Sequence, residues 1–181
     1  MSSKPEYPFP QRKPEHSSYA VLRAWWQGLE HDKGERAALR RAGSLTEVMF
    51  SPAFHRLLRE LRQEKFGIAE SRYPKLAAIA GLAARVKKEP DRRASLATRM
   101  GEPKAGGNAP TVAELRVRNL LACDDLEVLY TVLRRALAQL DNQAVVADLA
   151  AIVWHWSSMD DKRPNDPRRQ MAYDYYAAAP L

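Results

Sequence analysis

Residues 126–140 read LEVLYTVLRRALAQL and carry the clearest helical pattern in the chain. Their large apolar side chains lie within about 100° of arc when each residue advances by about 100° around a helix axis. These side chains are Leu126, Leu129, Tyr130, Leu133, Leu137 and Leu140. Such a stripe is typical of an α-helix that buries one face. Residues 22–29, 54–61, 76–86 and 145–156 carry stripes of the same period, which predicts further helices.

The composition favours helices throughout the 181-residue chain. It contains 28 Ala and 20 Leu, whereas Val, Ile and Thr number only 10, 3 and 4. Ala and Leu suit helices and β-branched side chains suit pleated sheets, so we predict an all-α protein. The single cysteine, Cys123, excludes a disulfide framework and a cysteine-rich zinc site. The four histidines are scattered, so we expect no metal and no other cofactor.

The apolar segments are too short for a membrane protein. The longest run without a polar side chain covers the nine residues 76–84, and a bilayer needs about 20. The N-terminal residues lack the apolar region of a signal peptide. We therefore predict a cytoplasmic protein with no membrane contact.

Prolines and glycines divide the chain. Residues 1–16 hold four prolines and no apolar period, which predicts a flexible, extended tail. Residues 101–110, GEPKAGGNAP, cannot form a helix and predict a loop. We therefore predict two packed helical bundles, an N-terminal one over residues 17–100 and a C-terminal one over residues 111–181, joined by this loop.

The positive charge is uneven. The chain has 29 Lys and Arg against 22 Asp and Glu, a net charge of +7, and the excess lies mainly in residues 33–41 and 85–104. Lys33, Arg36 and Arg40 share one helical face, where like charges repel each other. This pattern indicates an anionic partner, and a solvated face without a partner is the alternative.

Two further arginines lie beside the apolar stripe of residues 126–140. Arg134 lies about 90° from the centre of the stripe, and Arg135 lies nearly opposite it. A guanidinium in such a place can bind a phosphate through two hydrogen bonds. The alternative is a surface arginine that pairs with Asp or Glu.

Trp154 lies off the apolar stripe of its own helix, about 140° from Leu149. It must face a second packed surface, a partner or a nucleobase. Because large aromatic side chains are usually buried, we favour packing against another helix of the same chain.

Catalytic motifs are missing from the sequence, with no phosphate-binding glycine loop, nucleophile elbow or zinc-protease motif. One nuclease-like pattern exists, in which Asp91 precedes Glu102 and Lys104. Metal-dependent nucleases hold such groups on adjacent strands, but here Glu102 and Lys104 lie in the loop rich in Gly and Pro. We therefore interpret the pattern as a coincidence and predict that the protein is not an enzyme.

Six motifs, taken in order, resemble a known family. They are LRAWWQGL (22–29), the arginine pair 40–41, SPAFHRLL (51–58), AELRVRNLL (113–121), VLRRAL (132–137) and IVWHW (152–156). Together they resemble the CasB family, the small subunit of the type I-E CRISPR Cascade complex. The resemblance covers residues 17–62 and 111–163. The proline-rich tail and the helix that follows Pro164 look like additions to it.

The resemblance implies a non-catalytic helical subunit. Such subunits pair as dimers within a guide-RNA complex, contact other Cascade subunits, and hold the target and displaced DNA strands of the R-loop. Together with Arg36 from the charge pattern, the matching positions are the predicted nucleic-acid-binding residues. They are Arg36, Arg40, Arg41, Arg72, Arg116, Arg134, Arg135, Lys162 and Arg163. The resemblance also points, more weakly, to Lys75.

Other functions are compatible with the same residues. The first is a helical protein-interaction module whose basic faces meet an acidic protein. The second is the metal-dependent nuclease based on Asp91, Glu102 and Lys104. A helix-turn-helix transcription factor is a weaker third, since no short turn leads to a helix with base-reading side chains in its first turn.

Overall fold

The computed structural model describes residues 6–157 and 166–180 and shows an all-helical protein. Its α-helices are α1 (Ser17–Gly28), α2 (Lys33–Arg41), α3 (Leu45–Met49), α4 (Pro52–Gln63), α5 (Tyr73–Arg85), α6 (Leu96–Gly101), α7 (Glu114–Leu121), α8 (Leu126–Gln139), α9 (Val146–His155) and α10 (Pro167–Ala178). A single 3₁₀ turn, Glu70–Arg72, precedes α5. Extended pairing among the described residues is limited to isolated bridges. The prediction of an all-α protein is therefore confirmed.

Short polar side chains fix where several helices begin. Asp32 accepts a hydrogen bond of 3.0 Å from the backbone N–H of Glu35, and α2 starts there. Asp125 accepts one of 3.0 Å from the N–H of Val128 and so caps α8. Ser51 caps α4, and Pro52 occupies its first turn. These contacts satisfy N–H groups that lack a partner within the helix.

Helix α5 lies at the centre of the fold. Residues 76–84 are all buried, and α5 packs against α2, α3, α4, α8 and α9. A helix that is apolar on every face is suited to such a central place. Small side chains let its neighbours approach closely. At Gly81, a Cβ atom would lie only 2.5 Å from the hydroxyl oxygen of Tyr130 on α8.

The core runs through both halves of the chain. Buried apolar side chains from α1 to α10 form one cluster, and α5 contacts helices on both sides of the 101–110 loop. The division into an N-terminal and a C-terminal bundle therefore remains a prediction. Within the described residues, no helix is long and apolar enough to cross a membrane.

The N-terminal segment differs from its prediction as a flexible tail. Over its described part, from residue 6, it folds back onto α1 and α9. Phe9 is completely buried, and its ring centroid lies 5.5 Å from that of Tyr19 and 5.6 Å from that of Trp154. The backbone N–H of Phe9 donates to the Ser18 hydroxyl at 2.8 Å. The segment consists of turns and bends, with positive φ angles at Phe9 and Arg12, so the predicted extended conformation is wrong. The buried Phe9 ring and several hydrogen bonds together anchor it.

The same contacts explain Trp154. This side chain is 4% exposed and packs edge-on against Phe9. It therefore faces a second packed surface of its own chain, as predicted, but the aromatic ring there does not belong to another helix. That surface is an irregular segment, whose place in the fold no helical period could reveal.

Candidate nucleic-acid interface

Several predicted cations bind backbone carbonyls at the ends of helices. Arg36 on α2 is half-buried and points at the end of α5. Its Nε donates to the carbonyl of Ala84 at 3.2 Å, and its Nη2 donates to the carbonyl of Val86 at 2.5 Å. The last carbonyls of a helix lack partners within it and carry partial negative charge, so a guanidinium is a suitable partner. Arg36 thus joins α2 to α5.

The end of α9 has a similar arrangement. The Cζ of Arg72 lies 5.5 Å from the centroid of the Trp154 ring, and Arg72 Nη1 donates to the Trp154 carbonyl at 3.4 Å. Lys75 Nζ donates to the carbonyl of Trp154 at 3.0 Å and to that of Trp156 at 2.5 Å. Two predicted phosphate ligands therefore lie against the C-terminal end of a helix.

Arg85, the last residue of α5, also binds a carbonyl at the end of a helix, although it was not predicted as a site residue. Its Nη2 donates to the carbonyl of Arg40 at 2.7 Å, at the end of α2. Burial and the positive charges of Arg134 and Arg40 lower the pKa of the Arg85 guanidinium. Three arginines therefore come together where α2 and α5 end beside α8. The only sequence signal for Arg85 was its place at the start of the basic stretch 85–104.

Other predicted cations face solvent. Arg40 and Arg41, at the end of α2, are exposed. Neither forms an ion pair with a carboxylate in the part of the chain that the structure describes. Arg134 is half-buried, and its Cζ lies 5.3 Å from the centroid of the Tyr130 ring. The guanidinium of Arg134 is thus held on the surface of α8, on the side of Arg40 and Arg85.

Arg116 and Arg135 line a groove between α7 and α8. Both side chains are exposed, and the groove has a volume of about 490 Å³. Successive arginines of α8 therefore face two places: Arg134 faces the cluster with Arg85, and Arg135 faces this groove. Together they place positive charge on two sides of α8, which can attract the phosphates of a nucleic acid strand.

The structure gives no support to the remaining predicted residues. Lys162 and Arg163 lie outside the described residues. In the nuclease-like pattern, Arg92 forms an ion pair with Glu102, while Asp91 and Lys104 are exposed. No group of three or more His, Cys, Asp or Glu that could hold a metal ion occurs among the described residues. The pattern therefore does not form the metal-binding arrangement that nuclease chemistry needs.

The structure resembles a solved protein–DNA assembly. The similar chain belongs to E. coli Cascade bound to a PAM-containing double-stranded DNA target. The two chains are 21% identical, the alignment covers 88% of this chain and 94% of the other, and the TM-score is 0.61. At this level of identity the likeness concerns the fold. A comparison with curated proteins found no match.

A family model also matches the chain. It is described as CRISPR-associated protein Cse2 and matches residues 35–176. The match includes most of α10, which the motif resemblance had left outside as an addition. It also includes the segment 63–110, where the motifs were weak. The chain therefore belongs to the CRISPR-associated Cse2 family, which confirms the resemblance of its motifs to the Cascade small subunit.

Proposed function

We propose that this protein is the non-catalytic small subunit of a type I-E Cascade complex and holds the DNA strands of the R-loop by their phosphates. One observation carries the phosphate-binding role. Arg40, Arg41, Arg116 and Arg135 project into solvent with no carboxylate partner in the described chain, although acidic side chains are common on the surface. Membership of the Cse2 family and a fold shared with one chain of a DNA-bound Cascade complex support the assembly role.

Contacts to phosphates suit the energetics of an R-loop. The guide–target duplex that forms is about as stable as the DNA duplex that it replaces, so modest contacts to the backbone can shift the balance. Base pairing with the guide reads the sequence, and the subunit needs only contacts that do not depend on sequence. Exposed arginines provide them by releasing counterions from the strand.

The cations differ in their expected roles. We assign phosphate binding to Arg40, Arg41, Arg116, Arg134 and Arg135. Arg36 and Arg72 act mainly on the fold, because their guanidinium groups bind the ends of α5 and α9. Lys162 and Arg163 stay candidates on the motif resemblance alone.

The partners follow from the proposed assembly. The chain contacts the guide-RNA complex and other Cascade subunits, and it pairs with a second copy of itself within the complex. This work takes place in the cytoplasm, where the complex meets invading DNA. The family resemblance supports the pairing, and sedimentation of the assembled complex tests it by giving the number of copies.

The main experiment replaces Arg41, Arg116 and Arg135 together by Ala. At low salt we expect weaker binding of labelled single-stranded DNA and of R-loops made by the assembled complex, with an unchanged helical circular dichroism spectrum. Each phosphate that the variant no longer neutralises should reduce the slope of log K against log salt by about 0.7 for a single strand. Unchanged DNA binding with intact helices would contradict the proposal.

A matched control replaces three exposed cations that lie elsewhere: Lys13, Arg59 and Lys65. This variant has the same net charge as the test variant, so it separates a local effect from the loss of overall charge.

Incubation of DNA with the wild-type protein and Mg²⁺ or Mn²⁺ tests the nuclease alternative. Cleavage that Glu102→Ala abolishes would replace the proposed function.

A further inference from the structure

The groove between α7 and α8 has a composition that phosphate binding alone does not require. Two arginines and two amides stand at its edges: Arg116, Asn119, Arg135 and Gln139. Its apolar wall is formed by four buried side chains, one half-buried and one exposed, in turn Met100, Val112, Leu120 and Ala136, then Val132, then Ala138. No acidic residue lines it within the part of the chain that the structure describes.

The apolar wall is fixed in place by contacts from three segments. The N–H of Val112 donates to the carbonyl of Met100 at 2.9 Å. The carbonyl of Val112 accepts a hydrogen bond of 2.8 Å from the hydroxyl of Tyr175, which is buried on α10. The groove is therefore formed before any ligand arrives, so binding costs little free energy for ordering its side chains.

The chemistry of the groove selects among anionic ligands. A bare phosphate gains nothing from an apolar wall. Paired DNA presents its phosphates outward and keeps its bases inside the stack. An unpaired nucleotide has both parts that the groove can hold: a phosphate for the arginines, and a flat base whose faces are apolar and whose edge forms hydrogen bonds.

We propose that the α7–α8 groove binds an unpaired nucleotide of single-stranded nucleic acid, with the base against the apolar wall and the phosphate at Arg116 and Arg135. The inference rests on the proposed function and adds base contact to it. The side-chain amides of Asn119 and Gln139 each donate and accept, so they can meet the edge of any base. The site is therefore selective for unpaired strands and tolerant of sequence.

The experiment uses the full chain and two labelled oligonucleotides of equal length, an oligothymidylate strand and the same strand with abasic sites. The abasic strand keeps every phosphate and lacks the bases. By fluorescence anisotropy at low salt, we expect the wild-type protein to bind the abasic strand about fivefold more weakly, which corresponds to about 1 kcal/mol. The double variant Arg116→Gln, Arg135→Gln should weaken the binding of both strands to a similar extent.

A variant that fills the groove tests its location. Ala138 is exposed and lines the groove, so Ala138→Leu, which fills space without an aromatic face on which a base could stack, should remove the preference for the strand with bases and keep the salt-dependent binding of both. The control is Val128→Leu, at a half-exposed position of the same helix outside the groove, which should keep the preference. Circular dichroism checks that both variants fold.

The outcomes separate the two proposals. Equal binding of the two strands by the wild-type protein overturns the nucleotide site and leaves phosphate binding standing. Failure to bind either strand at low salt overturns the proposed function, and the groove proposal with it. A preference that survives Ala138→Leu places base contact elsewhere and overturns the assignment to this groove.

Discussion

At the ends of α5 and α9, cationic side chains donate to backbone carbonyls, whereas at the α7–α8 groove they face solvent. Arg36 and Arg72 belong to the first region, and Arg116 and Arg135 belong to the second. All four carry the same group, and all four were predicted to bind nucleic acid. The difference shows that a cluster of basic residues can stabilise a fold as well as attract a ligand. Only the partners of each guanidinium distinguish the two roles.

The largest effect on stability is expected at Arg168, which binds carbonyls at the end of α7 as Arg36 and Arg72 do at the ends of α5 and α9. It is buried on α10, where it forms an ion pair with Asp166 and donates to the carbonyls of Leu121 and Cys123. Arg168→Ala leaves these partners without a cation, so we expect the free energy of unfolding to fall by about 3–5 kcal/mol. Urea unfolding measures it. Arg169→Ala, at an exposed position of the same helix, should stay within about 0.5 kcal/mol of wild type.

A smaller effect is expected within α2. Arg36→Ala removes two hydrogen bonds from a charged donor, so we expect the free energy of unfolding to fall by about 1.5–3 kcal/mol. Arg40→Ala removes an exposed side chain four residues later and should change that free energy by about 0.5 kcal/mol or less. Equal effects in the two variants would show that the carbonyl contacts of Arg36 do not stabilise the fold.

The smallest effect on stability is expected at the groove. Arg116→Ala and Arg135→Ala should each leave the unfolding midpoint nearly unchanged, because both side chains are exposed. Each substitution should instead weaken DNA binding. It should also reduce the slope of log K against log salt by about 0.7, the contribution of one phosphate of a single strand. Anisotropy titrations over a range of salt measure this. Lower stability together with unchanged DNA binding would show that these arginines stabilise the fold, as Arg36 and Arg72 do, and do not bind DNA.

Local patterns predict the helices and their buried faces. The stripe from Leu126 to Leu140 becomes α8, and the apolar run 76–84 becomes the centre of α5. These outcomes depend on side-chain spacing along one helix, which the sequence displays directly. The same spacing and the family motifs gave Arg40, Arg41, Arg116 and Arg135 as nucleic-acid-binding residues. The structure shows that they are exposed, and their binding of nucleic acid stays a prediction.

Contacts between distant segments were beyond this reasoning. Arg36 and the carbonyl of Ala84 are 48 residues apart, and Arg72 and that of Trp154 are 82 apart. A carbonyl at the end of a helix leaves no mark in the sequence, since every residue carries one. The burial of Phe9 was not predicted for a related reason, because a segment of irregular turns has no period to detect.

The central place of α5 has a consequence for how the molecule opens. Because its neighbours come from both sides of the 101–110 loop, neither side can separate without exposing the apolar faces that α5 presents to the other. The chain should therefore behave as one cooperative unit, with amide hydrogens of α5 exchanging with solvent only in the rarest global openings.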